Sequence, residues 1–150
     1  MDPNKHTIDF SSYITERTFN FTGREWVFKF INDWLADPDG LRFFLLKGEP
    51  GSRKTAISSR LSQFSQGLPA PNGLPHLTQG YLSAIHFCSA RDTLWIDPFV
   101  FAGSLATQLA NRYPAYLKLL EDLHQDREVN VHVRLDVGEV VNGQVVGVVI

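Results

Sequence analysis

The stretch Phe43-Phe44-Leu45-Leu46-Lys47-Gly48-Glu49-Pro50-Gly51-Ser52-Arg53-Lys54-Thr55 decides the fold that the sequence predicts. Four consecutive apolar residues that run into Gly48, Pro50 and Gly51 have the pattern of a strand buried on both faces and closed by a tight loop, as in parallel sheets. Behind the loop, Ile57, Leu61 and Phe64 recur at helical spacing, and the pattern stops at Gly67 with Pro69 just beyond. Strand, glycine-bearing loop and helix in that order predict an α/β fold.

The loop matches the phosphate-binding pattern G-x-x-x-x-G-K-[ST] at Gly48, Lys54 and Thr55, with Arg53 in place of the second glycine. A loop of this kind turns successive amides toward a phosphate chain, and the helix behind it adds its N-terminal partial positive charge. Gly48, Glu49, Pro50, Gly51, Ser52, Arg53, Lys54 and Thr55 are therefore the candidate nucleotide-binding residues. Lys54 is the candidate catalytic group reaching the terminal phosphates, and Thr55 the candidate magnesium ligand. Arg53 either keeps the loop further from phosphate and weakens affinity, or adds a contact of its own.

Working outward, Thr22-Gly23-Arg24-Glu25 has capping-box spacing, with Phe21 placed to staple onto Trp26. The helix that follows carries Trp26, Val27, Phe30, Ile31, Trp34 and Leu35 on one stripe and ends at Asp37-Pro38-Asp39-Gly40. Residues 1–18 read as a polar lead-in arm. Residues 67–80 hold three prolines and three glycines and predict an exposed, mobile crossover. Tyr81 to Cys88 read as a second buried strand, and Asp97-Pro98 as the cap and first turn of a helix carrying Phe101, Leu105 and Leu109. Pro114 opens another helix. From Val129 to Val137 the period changes to strict alternation, and Asn142-Gly143 offers a type I′ turn, so residues 129–150 read as a β-hairpin that suits partner or self association.

Composition narrows the classes. A hydrophobic share of 43% suffices for a core, which excludes wholesale disorder, and a formal charge of −2 gives no global field for nucleic acid or an anionic membrane. No apolar run approaches the roughly 18 residues needed to span a bilayer. The single cysteine, Cys88, cannot form an internal disulfide, which fits a soluble cytoplasmic protein. His86 reads as a core histidine and Cys88 as a small hydrophobe.

Phe21-Thr22-Gly23-Arg24-Glu25-Trp26, the stretch Phe44 to Ala56, Ile85-His86-Phe87-Cys88 and Asp97 to Ala110 together resemble the STAND class of P-loop ATPases, specifically its NACHT-like members, over residues 19–125. The resemblance implies a partial three-layer P-loop NTPase core over 19–128, ATP or ADP with Mg2+ as ligand, Gly23 and Arg24 at the base end of the nucleotide, and a switching role in signalling or defence assemblies. The family's acidic strand-end motif has no counterpart before Ile150, so little hydrolysis is expected. The alternative is a non-catalytic protein-interaction module with a degenerate, empty loop. A small-molecule kinase shares the loop but lacks a recognisable lid in residues 67–80.

Overall fold

A computed structural model describes residues 8–126. Among them are five α-helices, α1 (Ser11–Thr18), α2 (Glu25–Ala36), α3 (Lys54–Ser65), α4 (Pro98–Arg112) and α5 (Pro114–Asp126), a short 3-10 turn at Thr93–Trp95, and no β-strand. The expected α/β three-layer core is therefore corrected to an all-α arrangement. The physical reason is pairing: neither apolar run finds a neighbouring strand among the described residues, and an isolated strand satisfies none of its own backbone groups. The expected hairpin at 129–150 lies outside the described residues.

The chain divides into two compact units, one from Asp9 to Leu82 and one that begins at Ser83. In the first, the core gathers Phe21, Val27, Phe28, Ile31, Ile57, Leu61, Phe64 and Leu77 between α2, α3 and the crossover. Phe28 meets the Phe21 ring edge-on at 6.3 Å and the Phe64 ring at 5.4 Å. The lead-in arm is not structureless: α1 packs on α3, where Arg60 donates to the carbonyls of Thr18 and Phe21 at 3.4 Å and Gln63 donates to Thr18 Oγ1 at 3.0 Å. Its weak apolar period hid it, since Ile14 and Thr18 are the helix's buried residues.

Helix α2 starts where expected but turns differently. Its N-cap is Arg24 in the left-handed region, without a side-chain cap, so Thr22 plays no capping part. Gly23 and Arg24 together swing the entering chain so that Phe21 packs on Phe28 instead of Trp26. Trp26, 58% exposed, instead meets Phe30 edge-on at 6.0 Å on the outer face.

The crossover is pinned. Leu77 is 1% exposed, and the buried Asn32 accepts the His76 amide at 2.9 Å. Asn32→Ala should cost about 1–2 kcal/mol and speed proteolytic nicking between Gly67 and Gly80, because the His76 amide loses its acceptor. Equal nicking rates in both proteins would contradict this anchor.

Tyr81 closes the same core. Its hydroxyl donates to the Leu61 carbonyl at 3.1 Å, and burial pushes its ionisation above the ordinary phenol value of 10.0. The folded state thus prefers the neutral phenol, while the unfolded chain ionises it near pH ~10. Stability from this group is complete below that pH and is lost above it. Tyr81→Phe should flatten the alkaline fall, measured as urea midpoints from about pH 8 to about pH 11.

In the second unit, Asp97 caps α4 as expected, its Oδ1 accepting from the amides of Phe99 and Val100 at 2.8 and 3.0 Å, with Pro98 in the first turn. Residues 83–88 are held by α4: Gln108 accepts the Ile85 amide at 3.0 Å and donates to the Ile85 carbonyl at 2.9 Å. A side-chain amide here takes the place of a ladder partner.

Candidate functional site

Residues 48–55 form a tight turn that leads into α3. A Cβ on Gly48 would lie 2.6 Å from Ser52 Oγ and 3.2 Å from Ser52 Cβ, so any larger residue there displaces the Ser52 side chain, and Gly51 holds a φ of +82° that glycine adopts without strain. Arg53, the residue in place of the second glycine, sits at φ 64° and ψ 27° as the N-cap of α3. The turn thus keeps a left-handed position there and fills it with a side chain, at a backbone cost of about 1 kcal/mol.

Lys54 folds back over the turn. Its Nζ donates to the carbonyls of Gly48 at 2.5 Å and Glu49 at 3.0 Å and to Ser52 Oγ at 3.3 Å. All three ammonium protons are satisfied by the loop's own oxygens. The amides of Arg53, Lys54, Thr55 and Ala56, by contrast, have no protein acceptor among the described residues, as expected at a helix N-terminus. Glu49 and Pro50 are exposed on the outside of the turn, and Thr55 is half-buried at the first turn of α3.

Gly23 and Arg24 lie at the start of α2, and among the described residues no hydrogen bond or ion pair links either to residues 48–55. No group of three or more His, Cys, Asp or Glu side chains suited to a metal occurs among the described residues. His86 is buried, its Nε2 2.9 Å from the Trp95 carbonyl and its ring edge-on to Phe101 at 5.0 Å. Cys88 is a half-buried free thiol whose ionisation burial pushes up, which disfavours the reactive thiolate. No helix among the described residues is long and apolar enough to cross a membrane.

The run that leads into the turn behaves unlike a buried strand. Phe44 and Leu46 pack against the core, with the Phe44 ring 5.6 Å from that of Trp34, while Phe43 is 88% and Leu45 73% exposed. Leu41 is exposed on the same side. Sequence reasoning missed this surface because a continuous apolar run does not say which of its side chains has a partner. The alternation becomes legible only once Trp34 is seen to hold one side, its Nε1 donating to the Leu41 carbonyl at 2.6 Å.

Comparison with curated proteins and with solved structures finds no match. The family model described as Nephrocystin 3, N-terminal, matches residues 23–137, which takes in α2, the turn, α3, α4 and α5. The NACHT-like resemblance stands at the coarser level, since in nephrocystin 3 the N-terminal region precedes that protein's NACHT-like NTPase, and the assignment as a P-loop domain does not. With most of its length matched, the chain belongs to the nephrocystin 3 N-terminal family.

Proposed function

We propose that this chain is a non-catalytic, helical protein-interaction module of its NACHT-associated family, and that it docks a protein partner on the apolar side of residues 41–46. The observation that carries this is the outward pair Phe43 and Leu45 on a run whose opposite side is anchored to the core. Single exposed apolar residues are ordinary, but Leu41, Phe43 and Leu45 alternate along one line, the pattern of a surface that another molecule covers. Lys54, already bonded to Gly48, Glu49 and Ser52, fits a turn that holds its shape without a ligand.

A nucleotide-binding role for the same turn is favoured by a separate observation: four acceptor-free amides, those of residues 53–56, lie at the start of a twelve-residue helix beside Lys54. In that role Lys54 would leave its carbonyl acceptors for the terminal phosphates of ATP or ADP, Thr55 would face Mg2+, and Arg24 would serve the base end. Glu49, the carboxylate within the turn, is exposed, and the sequence carries no acidic strand-end motif to activate water, so binding without turnover is the expectation.

Thermal unfolding with and without Mg·ATP separates the two roles. The interaction module shows no shift. A rise of several degrees in the midpoint that disappears in Lys54→Ala and grows in Arg53→Gly would instead establish nucleotide binding.

A further inference from the structure

We propose that residues 42–47 accept one strand of a partner protein by backbone pairing, and that this strand is apolar in its middle and acidic at both ends. The proposal rests on the interaction-module role above and names the partner's chemistry for that surface.

Three observations converge. First, the backbone amides and carbonyls from Arg42 to Lys47 have no partner among the described residues, although the exposure of Phe43 to Leu46 alternates with the period of a strand and the run, at six residues, is as long as an ordinary one. Unpaired backbone groups in a row are a template for strand addition. Second, the run is held at both ends: Trp34 grips the Leu41 carbonyl and Lys54 the Gly48 carbonyl, while Phe44 and Leu46 fix one side against the core. The edge is therefore shaped before a partner arrives, which lowers the ordering cost of binding. Third, the ends are cationic. Arg42 and Lys47 are exposed and make no ion pair among the described residues, and no acid lies between them.

These charges choose the occupant. Antiparallel pairing with a second copy would bring Arg42 of each chain to within about a residue of Lys47 of the other, and parallel pairing would set like beside like; like charges opposed across strands are destabilising. An incoming strand with Asp or Glu at each end meets opposite charge at both. Asp39 and Glu49 lie just outside the run, so acids placed further apart would meet like charge instead. The acidic residues of the partner are thus spaced to the length of the run.

The test is titration of the full isotope-labelled chain with two synthetic peptides, each a six-residue β-branched strand, one ended by Glu and one by Lys. We expect the Glu-ended peptide to bind about tenfold more tightly and to slow exchange of amides between Phe43 and Lys47. The exposed double variant Arg42→Glu/Lys47→Glu should reverse the preference, which a folding defect cannot do. Equal affinity for both peptides would overturn the charge rule, and binding without slowed exchange at residues 43–47 would overturn strand addition. Self-association of the chain alone on sedimentation would replace the partner by a second copy. Failure of the interaction-module role itself has a different signature, the Lys54-dependent stabilisation by Mg·ATP.

Discussion

Phe28→Ala should destabilise the first unit by about 3–5 kcal/mol, the largest effect expected of any single truncation in it. Phe28 is buried in the middle of the core, and its ring meets two others edge-on, so its removal takes away apolar contact, two aromatic pairings and the support for Phe21 at once. The side chains around the void belong to α2, α3 and the segment before α2, and close packing lets them relax only in part. Urea unfolding read by tryptophan fluorescence checks this. The expected result is a lower midpoint with an unchanged slope; an unfolding free energy within about 0.5 kcal/mol of the parent's would show that Phe28 is not the centre of this core.

Gln108→Leu should cost the second unit about 2–4 kcal/mol, although it replaces a polar side chain by an apolar one of similar size. The Gln108 amide serves both backbone groups of Ile85 and also donates to Ser104 Oγ at 3.2 Å. Leucine leaves the Ile85 amide and carbonyl unpaired beside buried Ala84 and His86, where water cannot easily replace the lost bonds. Faster exchange of the Ile85 amide together with a lower urea midpoint is the expected outcome. A variant as stable as the parent would mean that solvent satisfies Ile85.

What the sequence made legible follows a physical line. Local signals that act through a few neighbouring atoms held: the Asp97-Pro98 start of α4, the Pro114 start of α5, the Ile57, Leu61 and Phe64 face of α3, and the stop before Gly67. Signals that depend on a distant partner failed. Phe43 to Leu46 reads as doubly buried because all four side chains are apolar, yet burial requires a neighbour on each side and Phe43 and Leu45 have none among the described residues. In α2 the apolar stripe is broader than the face that packs, so Trp26 and Phe30 read as core while Phe28 became its centre. The crossover is exposed over most of its length, as proline and glycine marked it, while Leu77 and the Asn32 anchor on His76, which no local signal showed, tie it to the core.

The turn at 48–55 was legible as a turn and as a helix entry, and the closeness of Gly48 to Ser52 and the left-handed Gly51 explain why those glycines are there. The same lysine that the pattern directs toward phosphate satisfies itself on Gly48, Glu49 and Ser52, a choice set by geometry that no spacing rule contains.

Hydrogen exchange at the amides from Phe43 to Lys47, in the isolated chain, tests the central claim most directly. A run with no ladder partner exposes these amides, so each should exchange within about an order of magnitude of its free rate while the amides of α3 remain protected. Protection at residues 43–47 comparable to that of α3 would mean that the run is already paired within the chain, and both the all-α fold and the open docking edge would be wrong.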